Sequence, residues 1–160
     1  MSTISNPRQP QQDSPINQPL RPQSLKGVRL RRHADYQRAY AASRKRQSAS
    51  MSWFLAPRIT EAAEAASDRQ GPRVGLTAGK VLGRAHERNR IKRLLREALR
   101  RHVDLLPANC DLIFHPRRGV LTLEFAKLEA EIVRILHHAK GEAARMTASR
   151  EISSPPAPAP

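Results

Sequence analysis

The sequence predicts an α+β protein, a small two-layer sandwich in which helices pack on one mixed sheet. Two observations carry this prediction. Aromatic or apolar residues recur at helical spacing in three segments, whereas shorter segments between them have the alternating or continuous apolar character of strands. The segments follow in the order α-β-β-(β)-α-β-α, with the bracketed strand optional. Helices and strands mixed in this way around one core are typical of an α+β domain.

The first predicted helix spans residues 32–43. Its two tyrosines, Tyr36 and Tyr40, lie four residues apart, so both rings share one face of the helix. A tyrosine hydroxyl prefers water or a hydrogen-bond partner, which makes a wholly apolar environment unfavourable for it. The sequence therefore indicates a helix face with two aromatic rings close to the surface.

Two strands are predicted next, at residues 51–57 and 73–79. Because side chains alternate between the two faces of a strand, one face of this sheet is bulky and apolar. That face carries Met51, Trp53, Leu55, Val74, Leu76 and Ala78. The opposite face is small and polar, apart from Phe54, and it includes Thr77. The bulky face needs a helix to cover it.

A helix predicted over residues 84–102 can supply this cover. Its apolar stripe consists of Ile91, Leu94, Leu95, Ala98 and Leu99. A third buried strand is predicted at residues 110–116. The last predicted element is an amphipathic helix over residues 122–140, with Thr122 as its N-cap.

The folded domain is predicted to span residues 25–140. Residues 1–24 are rich in proline and glutamine and hold almost no large apolar side chains, so we expect them to be disordered. Residues 60–71 are predicted to be a loop insertion, and residues 141–160 a disordered tail rich in proline and alanine. The sequence does not indicate what these extensions do.

The chain carries 29 basic and 14 acidic residues, a formal net charge of +15. A charge this far from zero indicates an anionic partner, either nucleic acid or an anionic membrane surface. No apolar run is long enough to span a bilayer, and the N-terminus lacks the apolar segment of a secretory signal. The only cysteine is Cys110, which fits a reducing compartment. We therefore expect a cytoplasmic protein with no membrane partner.

Enzyme and metal motifs in the sequence are incomplete. The segment HERNR at His86 begins like a zinc-protease motif, but its fifth position is Arg90, which cannot ligate zinc. His137 and His138 are adjacent, so their rings diverge on a helix. The segment GLTAGKVLG at residues 75–83 lacks the spacing of a nucleotide-binding loop. We therefore predict no catalytic residue and no metal held by the protein itself.

The helix over residues 84–102 is the strongest functional signal. It carries eight cations but only two carboxylates, Glu87 and Glu97. An excess of about six positive charges on one helix is typical of a surface that contacts phosphates. Membrane binding would need a broad exposed apolar face, whereas the apolar stripe of this helix is required by the sheet.

The segment RVGLTAGKVLGRAHERNRIKRLLREALR, residues 73–100, closely resembles the signature of the bacterial ribonuclease P protein subunit. That family carries V-G-L/I-x-x-S/G-K-K, a short connection that ends in G-x-A, and then R-N-R-x-K-R-x-x-R-E. The residues in register with the last motif are Arg88, Asn89, Arg90, Lys92, Arg93, Arg96 and Glu97. The tyrosines of DYQRAY match an aromatic pair of the family, so the resemblance covers about residues 25–140.

The resemblance implies a ribosomal S5 domain 2-like fold and a non-catalytic subunit of an endoribonuclease. In such a ribonucleoprotein the RNA subunit cuts precursor tRNA with bound Mg²⁺. One protein monomer binds the RNA subunit and the single-stranded 5′ leader of the substrate, and removal of the leader gives the mature 5′ end. The implied contacts with the catalytic RNA are Arg88, Asn89, Arg90, Lys92, Arg93, Arg96 and Arg117. The implied leader contacts are Tyr36, Tyr40, Phe54, Thr77, Lys80 and Ile113.

Two residues depart from the family pattern. Val81 stands where a second lysine is usual, and Gly79 stands where serine is common. One cation fewer could weaken leader or metal contacts at this point. Three other functions stay open: a ribosomal-type RNA-binding module, a DNA-binding helix that would normally require a dimer, and a nuclease that acts alone. The last should show a cluster of acidic metal ligands, and none can be identified in the sequence.

Overall fold

A computed structural model describes residues 24–58 and 71–153 of the chain. Its main elements are α1 (His33–Ala42), β1 (Lys45–Gln47), β2 (Met51–Pro57), β3 (Arg73–Leu76), α2 (Ala85–Arg101), β4 (Cys110–Pro116) and α3 (Phe125–Ser153). The predicted α+β order is confirmed, and it includes the additional strand. The predictions of a disordered N-terminal extension over residues 1–24, a loop insertion over residues 60–71 and a disordered end of the tail fall almost wholly on residues 1–23, 59–70 and 154–160, which lie outside the described residues.

The strands form one mixed sheet in the order β1-β2-β4-β3. β2 runs antiparallel to both β1 and β4, whereas β3 is parallel to β4. Parallel neighbours need a crossover connection, and α2 supplies it between β3 and β4. The sheet therefore holds α2 firmly at both of its ends.

The bulky face of the sheet packs against α2 and α3, as the alternation of the strands predicts. The sheet, α2 and α3 each contribute fully buried side chains to this contact. They are Met51, Leu55, Ile91, Leu95, Leu99, Leu112, Phe114, Leu128, Ile132 and Leu136. Burial of one aliphatic or aromatic side chain of this size stabilises the fold by about 1.5–3 kcal/mol. This cluster is the main core of the protein, and it fixes the orientation of α2.

The small face of the sheet packs against α1 and forms a second, smaller core. Ala39 of α1 meets Ala56 of β2 and Ile113 of β4, together with Leu30 from the segment before the helix. Because α1 has only ten residues, it covers part of this face. The rest of the face is left as a cleft, which is described in the next section.

Two predicted boundaries differ from the structure. β3 ends at Leu76 instead of Gly79, although the backbone N–H of Thr77 still donates to the carbonyl of Phe114 at 3.0 Å. Thr122 is not the N-cap of the last helix. Its hydroxyl donates to the carbonyl of Gly119 at 3.1 Å within the preceding turn, and α3 begins three residues later.

The structure also extends α3 beyond its predicted end at residue 140. A disordered tail from residue 141 is therefore a wrong prediction for residues 141–153. Ala143 and Met146 pack against the main core, and Glu142 forms an ion pair with Arg46 of β1. These contacts continue the apolar stripe of the helix and offset the cost of Gly141, about 1 kcal/mol in a helix interior. Within the described residues, no helix is both long and apolar enough to cross a bilayer.

Candidate nucleic-acid interface

The acidic side chain near the start of α2, that of Glu87, has hydrogen-bond partners close by. Glu87 accepts a hydrogen bond from the backbone N–H of Arg84 at 2.7 Å and another from the guanidinium of Arg118 at 3.0 Å. The backbone hydrogen bond, followed by the charge of Arg118, lowers the pKa of Glu87, so its carboxylate stays ionised. Glu87 therefore caps the helix and pairs with Arg118, which lies outside the helix. It does not neutralise the cations at the centre of the helix.

The acidic side chain near the end of α2, that of Glu97, likewise forms ion pairs with cations at that end of the helix. Glu97 pairs with Arg100 at 2.8 Å and with Arg101 at 3.4 Å. Arg101 also reaches Glu129 of α3 at 3.4 Å, which ties the end of α2 to the neighbouring helix.

The centre of α2 carries the cations that these two acids do not neutralise. Within the described residues, no ion pair involves Arg88, Arg90, Lys92, Arg93 or Arg96. Arg90, Arg93 and the neighbouring Asn89 are exposed, and the Nε atoms of Arg88 and Arg96 are buried without a hydrogen-bond acceptor. We call these five cations the central cations. They form a concentrated positive surface with hydrogen-bond donors that lack partners, an arrangement suited to phosphate oxygens.

Arg117, also predicted from the resemblance to contact RNA, follows β4 and contacts the turn between β1 and β2. Its guanidinium donates to the carbonyls of Ser48 and Ala49 at 3.1 and 3.2 Å and to Oε1 of Gln47 at 3.0 Å. The side chain is exposed. The structure therefore gives Arg117 a role in holding the β1–β2 turn.

The same turn is held from the other side by a buried carboxylate. Glu131 of α3 is 3% exposed and accepts hydrogen bonds from the backbone N–H of Ser50 at 2.8 Å and from its hydroxyl at 2.6 Å. The hydroxyl of Ser48 also donates to it. Burial raises the pKa of Glu131, but the hydrogen bonds from both serines outweigh burial and lower the pKa overall.

Tyr40 lies at the centre of the cleft beside α1. Its ring meets Phe54 edge to face, with 5.0 Å between the centroids, and meets His115 edge to face at 5.5 Å. Its hydroxyl lies 2.7 Å from Nε2 of His115 and 3.4 Å from Oγ1 of Thr77. The cleft therefore combines partly exposed ring surfaces with a short chain of polar groups.

Tyr36 and Ile113 complete this surface. The ring of Tyr36 lies 6.4 Å from that of Tyr40, and its hydroxyl donates to the carbonyl of Leu30 at 3.4 Å. The ring sits so close to β3 that a Cβ atom at Gly75 would come within 2.7 Å of it. Ile113 is fully buried beneath the rings, as part of the second core.

Lys80, the remaining predicted leader contact, stands apart from these rings. It begins the 3-10 turn Lys80–Leu82 and is exposed. Within the described residues, it shares no hydrogen bond, ion pair or ring contact with the cleft side chains. Val81, at the position where the family usually has lysine, is 95% exposed.

His115 is a cleft residue that the sequence analysis missed. Burial, and to a smaller extent the charge of Lys45, lowers the pKa of its imidazole. The alternation of β4 could have revealed it, because His115 lies two residues after Ile113 and so shares its face. The strand pairs Phe54 with Ile113 and Ser52 with His115, which confirms this placement.

The cleft and the central cations meet at a cavity of about 80 Å³. Tyr36 lines it on one side and Lys92 and Arg96 on another. The described segment before α1, through Leu25 and Val28, closes it. A strand that lies in the cleft would therefore come close to the same surface that attracts phosphates.

Comparison with known proteins agrees with this arrangement. Residues 25–140 match the family described as Ribonuclease P. A protein of Chloroflexus aggregans named ribonuclease P protein component is 36% identical over 112 residues, which are 69% of this chain and 76% of the relative. The protein of the same name from Thermobifida fusca is 32% identical over 136 residues, which are 79% of this chain and 88% of the relative.

Two solved structures have a similar fold. The RNase P protein of Staphylococcus aureus has a TM-score of 0.57 at 24% identity, over 71% of this chain and 95% of that one. The RNase P protein from Thermotoga maritima has a TM-score of 0.57 at 20% identity, over 69% of this chain and 96% of that one. At these identities the likeness concerns the fold.

Proposed function

The chain belongs to the ribonuclease P protein family and is the protein subunit of that ribonucleoprotein. We propose that its central cations bind the catalytic RNA while its cleft binds the single-stranded 5′ leader of precursor tRNA. In this proposal one protein monomer joins one RNA subunit, and the complex removes the leader to give the mature 5′ end of the tRNA. The assembly acts in the cytoplasm, a reducing compartment that suits a chain with a single cysteine.

The observation that carries the proposal is the adjacency of the two surfaces. Tyr36 of the cleft and Lys92 and Arg96 of the central cations line one cavity. Single-stranded nucleic acid is generally bound by aromatic rings that stack on bases beside cations that follow the backbone. The two parts of such a site are here fixed on α1 and α2, on elements that the sheet holds in place.

The central cations would act on the catalytic RNA through its phosphates. Arginine presents several donors in a fixed plane, and hydrogen bonds between ionised groups are shorter and stronger than neutral ones. The exposed side chains of Arg90 and Arg93 would contact phosphate oxygens when RNA binds. Neutralisation of crowded phosphates favours close approach of RNA strands, which supports assembly of the ribonucleoprotein.

Catalysis in this proposal resides in the RNA subunit with its Mg²⁺ ions. The described residues bring no three histidine, cysteine or acidic side chains together as a metal site. Two buried acids, Asp35 of α1 and Asp111 of β4, form ion pairs with Arg73. In this proposal the Mg²⁺ ions are held by the RNA subunit.

The cleft would distinguish precursor from mature tRNA, because only the precursor has a leader to fill it. One base stacked on an aromatic ring contributes about 1–3 kcal/mol. The variant that replaces both Tyr36 and Tyr40 by alanine should therefore lose about tenfold or more of its affinity for precursor tRNA. Its affinity for mature tRNA should stay the same.

The test measures the Kd of both tRNAs with the holoenzyme, assembled from the full chain and ribonuclease P RNA. Thermal melting of the variant protein checks that it is folded. An equal loss of affinity for precursor and mature tRNA would argue against a leader site. Cleavage of precursor tRNA by the RNA with and without the protein, at limiting Mg²⁺, tests the wider proposal against a general RNA-binding module.

A further inference from the structure

The cleft contains a polar pair that base stacking does not use. Tyr40 and His115 are joined by a contact of 2.7 Å between Oη and Nε2. Both rings also contact Phe54, at 5.0 Å and 5.1 Å between centroids. A base that stacks in this cleft would therefore lie beside a hydrogen-bonding group with a fixed position.

The geometry indicates which atom carries the proton. A separation of 2.7 Å lies at the short end of the range for an N–H donor and at the centre of the range for an O–H donor, so it favours the hydroxyl of Tyr40 as the donor. Burial and the charge of Lys45 keep the imidazole of His115 neutral near pH 7, because they lower its pKa. With Tyr40 as the donor to Nε2, the one ring proton of neutral His115 is on Nδ1.

That Nδ1–H group has no acceptor within the described part of the chain. The hydroxyl of Thr77, 3.4 Å from the hydroxyl of Tyr40, is placed to complete the chain on the other side. The result is a donor that the contact with Tyr40 holds in orientation and that has no acceptor in the described residues. A donor of this kind distinguishes bases by whether they present an acceptor or another donor.

We propose that His115 determines the base preference of the leader cleft, by donating from Nδ1 to the keto oxygen of a guanine or uracil. The proposal rests on the proposed function of the cleft and adds its selectivity. At the same ring position guanine O6 and uracil O4 accept hydrogen bonds, whereas adenine N6 and cytosine N4 carry amino hydrogens, so the preference requires this group of the base to face Nδ1. One hydrogen bond gained instead of an unpaired donor corresponds to a preference of about three- to tenfold.

The test compares precursor tRNAs that differ by one leader nucleotide, placed in turn at each leader position. The holoenzyme made with the unchanged chain should prefer guanine and uracil by about three- to tenfold at one position. His115→Phe keeps the ring contacts and removes the donor, so this preference should disappear, because affinity falls by about three- to tenfold for leaders with guanine or uracil at that position and changes less for leaders with adenine or cytosine. His137→Phe, at an exposed histidine of α3, is the matched control and should behave like the unchanged chain.

A second variant and a direct measurement keep the test decisive if His115→Phe fails to fold. Tyr40→Phe removes the hydroxyl that fixes the tautomer and should also reduce the preference. Nitrogen NMR of His115 in the full chain should find the proton on Nδ1. A proton on Nε2, a preference for adenine and cytosine, equal affinity for all four bases, or a preference that survives in His115→Phe would each overturn the inference.

These outcomes are separate from failure of the proposed function. If the double tyrosine variant leaves the advantage of precursor over mature tRNA unchanged, the cleft is not the leader site and both proposals fall. If that variant loses the advantage while His115→Phe has the same base preference as the unchanged chain, only the role of His115 is refuted.

Discussion

The central cations of α2 make a quantitative prediction about salt. Each phosphate that a protein cation neutralises contributes about 0.7–0.9 to the slope of log K against log salt concentration. Arg90 and Arg93 are exposed and have no ion pair within the described residues. Replacement of both by glutamine should therefore make the slope for binding the catalytic RNA shallower by about 1.4–1.8.

The matched control is an arginine on the same helix that already has carboxylate partners. Arg101 pairs with Glu97 and Glu129, so Arg101→Gln should change the slope by much less than one phosphate contact. Filter binding or fluorescence anisotropy over a series of potassium chloride concentrations gives the slopes. An unchanged slope in the double variant, or the same change in Arg101→Gln, would refute the assignment of this surface to the RNA.

Three further substitutions test the cleft, the main core and the β1–β2 turn. Gly75→Ala places a methyl group within 2.7 Å of the Tyr36 ring, so precursor affinity should fall by about tenfold, whereas Gly79→Ala, with nothing within 4 Å, should have no effect. Leu95→Ala in the main core, where the side chain is fully buried, should lower the free energy of unfolding by about 2–5 kcal/mol in urea titrations. Glu131→Gln should cost about 1–3 kcal/mol at pH 7. Because the pKa of Glu131 is lowered in the fold, this difference from the unchanged chain should be complete above the ordinary glutamate pKa of about 4.3 and should shrink as the pH falls below it.

The sequence predicts best those elements whose burial pattern is long and regular. The apolar stripe of α2 was read from its spacing, and Ile91, Leu95 and Leu99 are fully buried where the stripe predicts. β2 and β4 begin and end at the predicted residues, because each is an apolar run bounded by proline at its C-terminal end. In such segments the local pattern and the tertiary packing favour the same structure.

Elements whose structure depends on contacts with residues far away in the sequence could not be predicted in this way. β1 has only three residues, KRQ, with no apolar alternation, and its position depends on pairing with β2 and on Glu131 and Arg117 at the turn. The last turns of α3 are helical because Met146 and Glu142 find partners in the core and on β1. No pattern in the neighbouring sequence indicates these partners.

The candidate site also has one part formed by residues near one another in the sequence and one part formed by residues far apart. The central cations lie within nine residues of one helix, Arg88 to Arg96, so the sequence shows the whole surface at once. The cleft is assembled from α1, β2, the end of β3 and β4, and its polar pair joins residues 75 positions apart. Stacking surfaces can be inferred from aromatic residues alone, but the orientation of a donor depends on which hydroxyl faces which ring nitrogen. If selectivity for the leader base depends on such an orientation, chains with similar aromatic residues can differ in base preference through a single residue such as His115.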